Sequence, residues 1–497
     1  MTKTRWRWLI AITVFMTFAV AACSGGASQE DLDKAQADLA AANADLATAQ
    51  QAVADLQGQI AQGSPSVIVQ TAVENPTGTQ SPSGWDTAAS VKAGVQLLAS
   101  YDTSGDPAAW DPAAHPNVFV TSEGVGYAGF YSEVFTLVGF QMIDADTKEH
   151  VYSAQFDLGY ENHGTPHGLG VSPDGRWIYI PTSDGEQPWQ LNSPDGGRIL
   201  VVDARTGTLH QVLGTTLGPH HIKAFTDFAG NDRIIVERQG MGLLLLDPND
   251  DNRVVAEYGP DKLFGQNYQV DADPAGANLY VDLVLGSRGV AADLTGAVAK
   301  IELESGRVTI IPGVGMYPNG FAFTADGKFT YVADSSGDRV YKIDNETNRV
   351  IGSTQAAVPG PYEIALNLDE TELWVIGKGE MTYNLGGSLG LIDTVTFRAV
   401  RDFNIQGQTI DHDIMSPFDP TEMWVTSSGT AEVIVFDMTT RTVKIRIPDA
   451  NGGDTHSGAF VQYNPDFTGV LLNDMSGPKG DFLAQVAAAA AAAAAAG

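Results

Sequence analysis

The chain has 497 residues, and its 60 acidic side chains outnumber the 28 basic ones, for a net charge of −32 at neutral pH. A surface of this sign repels phosphate backbones and anionic lipid headgroups, which excludes nucleic acid as a partner of the folded body. The single cysteine, Cys23, excludes an internal disulfide framework, a CxxC zinc motif and covalent attachment of haem c.

The first 22 residues have the pattern of a secretory signal. Three basic side chains, Lys3, Arg5 and Arg7, precede an apolar run over residues 9–20 that is too short to span a membrane comfortably. Two alanines and Cys23 follow, and this sequence resembles the lipobox of bacterial lipoproteins. The resemblance implies cleavage before Cys23, which then receives a diacylglyceryl thioether and an N-acyl chain such as palmitate.

We therefore predict a signal peptide over residues 1–22 and a lipidated N-terminus over residues 23–28. Several acyl chains on one residue give stable anchoring. The expected location is the cell envelope, attached to a membrane and facing the extracytoplasmic side. An ordinary signal peptide with an incidental cysteine is the alternative, and it leaves the position of the only cysteine unexplained.

Residues 29–62 carry a heptad pattern. Leucine, valine or isoleucine recurs every seven residues from Leu32 to Ile60, and alanine or leucine recurs three residues after each of the first four. This spacing is typical of a coiled coil, and we expect an α-helical stalk that forms a homo-oligomer, as in the murein lipoprotein that it resembles. A single amphipathic helix acting as a spacer is the alternative. Residues 63–116 are rich in proline, glycine and serine, which predicts a flexible linker and an irregular lead-in.

Residues 117–480 repeat a pattern of short strands. Seven apolar runs end in an acidic turn at intervals of 42 to 59 residues, at Asp144, Asp203, Asp247, Glu302, Asp344, Asp393 and Asp437. An earlier strand pair in each repeat is joined by a turn such as Asp174-Gly175 or Asp326-Gly327, which is hairpin chemistry. Short strands at this period predict an all-β, seven-bladed β-propeller.

The ring is expected to close through its two ends. Residues 458–474 contain an extra inner-strand copy, which we assign to the blade whose outer strands lie near residues 136–157. The remaining residues, 481–497, form an alanine-rich tail that is either a frayed helix or disordered. The repeats resemble the YVTN-type propeller family, within the broader group of quinoprotein-like and nitrite-reductase-like seven-bladed propellers.

Six of the nine histidines fall just before inner strands, where a propeller has one mouth of its central channel. They are His163, His167, His220, His221, His412 and His456. They come from four neighbouring blades, so the ring is expected to bring them together as a cofactor site, with His167, His220, His221, His412 and His456 as metal ligands. Imidazoles suit copper, zinc, iron and nickel. Glu363, Asp411, Asp413 and Asp454 are candidates to orient them. Channel histidines that bind only water and carbonyl groups are the alternative.

The motifs around His167 and His220 are similar to two families of propeller. In nitrous oxide reductase, histidines surround a multinuclear copper cluster, and in dissimilatory haem nitrite reductase they surround a modified haem. The resemblance implies copper or another transition metal, or a haem-type tetrapyrrole, with a separate electron-transfer protein as partner. Two further functions stay open: a non-catalytic surface propeller that binds a protein or glycan, and a lactonase-like hydrolase. The sequence does not decide whether the protein is an enzyme.

Overall fold

The computed structural model describes residues 96–99, 110–124, 138–157, 167–183, 197–215, 219–238, 242–263, 265–285, 295–379, 386–450 and 455–496. The predicted signal peptide, lipidation site and stalk lie outside these residues, as do most of the linker and His163. Within the described part of the chain, no helix has the length and apolar character needed to cross a bilayer.

The described strands form seven antiparallel sheets, six of four strands and one of seven. Each sheet is one blade, and the blades pack face to face through buried apolar side chains. Trp374 and Trp424, both fully buried, lie in two of these clusters. One four-stranded sheet cannot cover both of its own faces, so the ring is what buries them. The all-β, seven-bladed propeller predicted from the repeats is therefore confirmed.

Blades 2 to 7 each use four strands that are consecutive in the chain. Blade 2 contains β5 (Gly170–Val171), β6 (Trp177–Ser183), β7 (Gly197–Asp203) and β8 (Thr208–Thr215). Blade 3 contains β9 (Pro219–Thr226), β10 (Asp232–Arg238), β11 (Gly242–Asp247) and β12 (Arg253–Tyr258). Blade 4 contains β13 (Gln266–Ala272), β14 (Asn278–Leu285), β15 (Thr295–Glu302) and β16 (Val308–Pro312).

The next three blades repeat this order. Blade 5 contains β17 (Pro318–Phe323), β18 (Phe329–Asp334), β19 (Arg339–Asp344) and β20 (Arg349–Gln355). Blade 6 contains β21 (Pro361–Leu366), β22 (Glu372–Gly377), β23 (Ser388–Asp393) and β24 (Arg398–Asn404). Blade 7 contains β25 (Ile410–Met415), β26 (Glu422–Ser427), β27 (Glu432–Asp437) and β28 (Thr442–Pro448).

Blade 1 joins the two ends of the propeller. It runs in the order β1 (Gln96–Ala99), β4 (His150–Asp157), β3 (Val138–Asp144), β2 (Asn117–Gly124), β29 (Gly458–Tyr463), β30 (Gly469–Asp474) and β31 (Gly477–Pro478). As expected, β29 shares a sheet with β3 and β4. Strand β2 pairs with β3 on one edge and with β29 on the other. Strand β30 therefore does not lie next to β3 and pairs with the remaining edge of β29. Strand β1, which pairs with β4, lies within the segment predicted as linker and lead-in.

The chain after β29 crosses the ring at the ends of the inner strands. Leu471 N–H donates to the carbonyl of Pro173 in blade 2, and the Asn473 side-chain amide donates to the carbonyl of Met415 in blade 7. Helix α1 (Gly480–Ala496) follows and buries Phe482 and Val486 among side chains of blades 6 and 7. The alanine-rich tail, for which a frayed helix or disorder was expected, is thus helical up to Ala496 and anchored at its start.

The acidic residues that marked the repeats build turns. Asp174 Oδ1 accepts the N–H of Arg176 at 3.0 Å, and Asp326 Oδ1 accepts the N–H of Lys328 at 3.0 Å. Gly175 and Gly327 have φ near +70°, a region that favours glycine. At the other marker, Asp144 Oδ1 accepts two backbone N–H groups of its own turn. These carboxylates therefore have structural partners outside the channel.

Candidate metal centre

A bulge in the inner strand positions the residues at the channel mouth. In blade 3 the pairing of β9 with β10 shifts register, so that His220 and His221 together lie opposite Glu237. The inner strands of blades 4, 6 and 7 shift at the equivalent place, opposite Asp282, Ile376 and Thr426. In a regular strand, neighbouring side chains point to opposite faces, whereas a bulge lets two consecutive residues serve the same side.

Polar side chains on the second strands satisfy the backbone groups that the bulges free. Asp282 Oδ1 accepts the N–H of Tyr268 at 2.8 Å, and Thr426 Oγ1 accepts the N–H of His412 at 3.1 Å. In blade 1, Ser122 Oγ accepts the N–H of His456 at 3.3 Å. Buried backbone donors require partners, so these side chains fix the conformation that presents the histidines.

The structure brings five of the six predicted histidines together, and the sixth, His163, lies outside the described residues. The His167 ring lies 4.4 Å from that of His456 and 4.7 Å from that of His220, between centroids. The ring centroids of His220 and His221 are 4.0 Å apart, and those of His412 and His456 are 5.3 Å apart. All five side chains are buried.

Three of these histidines form an inner triad. His221, His412 and His456 each offer a ring nitrogen, and the three nitrogens lie within 4.8 Å of one another. Neither ring nitrogen of His221 has a hydrogen-bond partner among the described residues. Burial, reinforced by neighbouring histidines, lowers the pKa of His221 and His456 well below the usual range, and burial also lowers the pKa of His412. Neutral imidazole is the form that binds a metal.

Carboxylates approach the histidines from the surrounding strands. Glu363 Oε2 lies 3.2 Å from His412 Nδ1, and Asp411 Oδ1 lies 3.5 Å from His456 Nδ1. Glu237 Oε2 lies 3.0 Å from His220 Nδ1, and Glu237 forms a second ligand-type group with His220 and His221. Glu363 and Asp411 were predicted from the sequence, whereas Glu237 was missed. The one sequence feature that could have identified Glu237 is its place on the second strand of the blade, opposite His220 and His221.

A buried charged layer lies next to the triad along the channel. Lys223 Nζ lies 2.5 Å from Asp271 Oδ1 and 3.0 Å from Gln269 Oε1, and Gln269 in turn donates to Glu363 at 3.1 Å. Burial raises the pKa of Asp271 and of Glu363 to about 7, although Lys223 opposes the shift in both. Asp413, a predicted orienting residue, has both oxygens without a partner among the described residues and contacts no histidine ring nitrogen there. Asp454 is not among the described residues.

Tyrosines from the other blades complete the aromatic ring around the channel. Tyr268 lies 4.9 Å from His220 between ring centroids, and Tyr362 lies 5.6 Å from His412. The two tyrosine hydroxyls are 3.0 Å apart, and the Tyr317 ring lies 5.7 Å from that of Tyr268. Tyr317 and Tyr362 were missed in the sequence analysis. This mouth of the channel therefore offers buried imidazoles, carboxylates and phenols to a bound ligand.

Comparisons with known proteins give a family match over part of the chain and several solved structures of similar fold. Residues 191–361, about a third of the sequence, match the family model described as SMP-30/Gluconolactonase/LRE-like region. This match runs from blade 2 to the start of blade 6 and includes His220 and His221.

Three solved structures are similar to this chain. The dihydro-heme d1 dehydrogenase NirN in complex with DHE has 17% identity and a TM-score of 0.43, covering 63% of this chain and 64% of its own. Hydrazine synthase of Kuenenia stuttgartiensis has 15% identity and a TM-score of 0.43, and the match covers 61% of this chain and 92% of the hydrazine synthase chain. A functionally unknown protein from Desulfotomaculum acetoxidans has 12% identity and a TM-score of 0.47, and the match covers 68% of this chain and 99% of that protein's chain. Because this chain spans less than two thirds of the NirN chain, and because these identities and TM-scores are low, none assigns an activity to it.

Proposed function

We propose that this protein is an envelope metalloprotein whose propeller holds a copper-type transition metal ion through His221, His412 and His456. The observation that carries the proposal is the buried imidazole of His221, which has no hydrogen-bond partner for either nitrogen among the described residues and lies inside a histidine triad. A buried polar group left unsatisfied costs about 1–3 kcal/mol. A metal ion shared by three imidazoles would give one of these nitrogens its partner.

The hydrogen bonding of His412 supports the same assignment. Its Nδ1 faces Glu363, whereas its Nε2 has no partner among the described residues. An Nδ1–H that donates to the carboxylate leaves the Nε2 lone pair available, which is the usual arrangement behind a metal-bound histidine. Glu363 thereby sets the tautomer and the orientation of the ring.

The donor set also indicates the kind of centre. Three imidazoles favour copper, zinc, iron or nickel over calcium or magnesium. Held by these three histidines, such an ion would be able to polarise a water or small molecule or to exchange an electron with it. The rings of His167, His220 and Tyr268 lie beside those of the triad. The rings of the triad lie 5.3–5.9 Å apart between centroids, which leaves no space for a macrocycle between them and favours an ion over a tetrapyrrole.

Metal analysis tests the proposal. Protein stripped with a chelator is incubated with Cu²⁺ or Zn²⁺, desalted and analysed for metal per chain, for the wild type and the variants His221→Ala and His412→Ala. The matched control is His210→Ala, because His210 is an exposed histidine on β8, outside the channel. We expect about one ion per chain in the wild type and the control and none in the two triad variants. Unchanged binding by both triad variants, or no binding by the wild type, would refute it.

A second candidate is a metal-dependent lactonase, favoured by the family match over residues 191–361. In that case the loaded protein hydrolyses simple γ- and δ-lactones, and His221→Ala abolishes the activity together with the metal. Metal binding without hydrolysis of any lactone would support the metalloprotein proposal and contradict the lactonase function. Binding of a protein or glycan that persists in metal-free protein would instead support the non-catalytic function.

We also propose that lipidated Cys23 anchors the propeller on the extracytoplasmic side of a membrane, with residues 29–62 as an oligomeric stalk. The support is the lipobox-like sequence and the heptad pattern. Partition of the full chain into detergent, lost in Cys23→Ser, tests the anchor. The mass of the chain from residue 29 compared with that of the chain from residue 87 tests the stalk. If the centre is redox-active, its electron donor is a separate protein, and mixing with candidate carriers tests that exchange.

A further inference from the structure

A cavity of about 220 Å³ lies at the opposite end of the channel from the histidines. The histidines lie at or before the starts of the inner strands, whereas the cavity is lined by the last residues of those strands, such as Thr226 of β9, Ala272 of β13 and Met415 of β25. Residues from blades 2 to 7 contribute to its wall. The two sites are therefore separate.

The C-terminal segment forms the other side of the cavity. Ser476 Oγ donates to Asp271 Oδ1 at 2.7 Å, and the Asn473 amide donates to the carbonyl of Met415 at 2.6 Å. Leu483 and Val486 of α1 complete the wall. These contacts hold the segment against blades 4 and 7, where it forms part of the cavity wall.

Buried acceptor oxygens in this wall have no donors. Both carboxylate oxygens of Asp413, Oδ1 of Asn473 and Oδ2 of Asp474 make no hydrogen bond within the described part of the chain. The three residues are at most 6% exposed and all line the cavity. Buried polar groups are normally hydrogen-bonded, so several orphaned acceptors around one cavity call for a ligand that donates or carries positive charge.

The charges and the apolar groups of the wall define that ligand further. The described lining contains four carboxylates, those of Asp273, Glu370, Asp413 and Asp474, against a single cation, Lys479. Lys479 is itself paired with the other oxygen of Asp474 at 2.9 Å. Phenylalanine rings and aliphatic side chains make up the rest, at Phe225, Phe321, Phe323, Ile364, Leu366 and Leu483. Aromatic rings beside carboxylates suit an organic cation, because ring faces attract ammonium groups.

We propose that this cavity is a binding site for a small organic ammonium compound, with Asp413 as its anionic partner and the phenylalanines as its apolar wall. A bare inorganic cation would leave the apolar wall without contacts, and a purely apolar ligand would leave the buried acceptors of Asp413, Asn473 and Asp474 unpaired.

Calorimetric titration with choline tests the proposal on the full chain. The matched probe is 3,3-dimethylbutan-1-ol, a neutral isostere of choline, and CaCl₂ alone is the inorganic arm. We expect saturable choline binding and at least tenfold weaker binding of the isostere. Asp413→Asn should weaken choline binding at least tenfold, whereas Asp402→Asn, on the exposed strand β24, should not change it. Leu483→Trp should block binding by filling the cavity, whereas Gln485→Trp adds the same ring to an exposed position of α1 and should not.

Each alternative outcome overturns the assignment. If choline does not bind, the cavity is not a site for an organic cation. Equal binding of choline and the isostere would contradict recognition of the positive charge. Binding of Ca²⁺ but not choline, lost in Asp413→Asn, would show that the site binds a metal ion instead. Retained metal content at the histidine centre in Asp413→Asn shows that the neighbouring His412 is intact, so a loss of choline binding then reports on the cavity itself.

Discussion

Replacing His221 with glutamine should change how the stability of the metal-free protein depends on pH. Burial, with His412 and His456 close by, lowers the pKa of His221 well below its ordinary value of 6.5. The folded protein therefore keeps this ring neutral in mildly acidic solution, while the unfolded chain protonates it near pH 6.5. Stability contributed by the neutral ring is present above pH 6.5 and is lost as the pH falls below it, because the unfolded state then binds the extra proton.

The magnitude follows from the two pKa values. Between pH 7.0 and 5.5, protonation of an unfolded histidine with a pKa of about 6.5 favours unfolding by about 1.3 kcal/mol, with no compensating protonation in the fold. His221→Gln removes this contribution. The unfolding free energy of the wild type minus that of the variant should therefore be about 1.3 kcal/mol lower at pH 5.5 than at pH 7.0.

Urea unfolding of chelator-treated wild type and variant at both pH values measures this difference. Comparing the two proteins cancels the opposite contribution of Asp271 and Glu363, whose raised pKa values make the fold more stable as the pH falls. His210→Gln is the control, since its ring is only partly buried and should contribute less. A difference between wild type and His221→Gln that stays constant from pH 7.0 to 5.5 would show that His221 is not held neutral by burial.

Three further variants test the site and the ring. Glu363→Gln should weaken metal binding 10- to 100-fold by releasing His412, measured by competition with a chelator, while Glu302→Gln, on the surface, should have no effect. Trp424→Ala should cost about 3–5 kcal/mol in denaturant unfolding, since the side chain is fully buried between blades, and a cost below 1 kcal/mol would contradict that packing. Gly458→Ala should cost about 1–3 kcal/mol, because a Cβ there would lie 2.1 Å from the Phe119 ring at the ring closure, and an unchanged urea midpoint would contradict it.

The repeats carried enough information to predict the fold. Turns such as Asp174-Gly175 and acidic strand ends such as Asp344 are local features, and the structure shows their carboxylates bonded to nearby backbone N–H groups. Seven such units, each unable to bury both faces alone, lead to a closed ring of seven blades. The histidine positions followed from the same periodicity, since equivalent places in the repeats are brought to the same mouth.

The strand order at the closure and the structure of the tail could not be read from the repeats. The extra copy at residues 458–474 predicted inner strands for blade 1, but β2 pairs with β3 first, and β30 is left to pair on the other edge of β29. Competition for a sheet edge depends on both chain ends at once. The cavity lined by Asp413 and Leu483 is a consequence of that arrangement and has no local signature.

The period of the repeats and their turn chemistry were sufficient to predict the seven blades and the meeting of the five described channel histidines. The other groups at the channel depend on how neighbouring strands pair. Register shifts in the inner strands turn consecutive residues such as His220 and His221 to the same site and bring Glu237 opposite them. A bulge is set by pairing with the neighbouring strand, so its position depends on contacts that are distant in the chain.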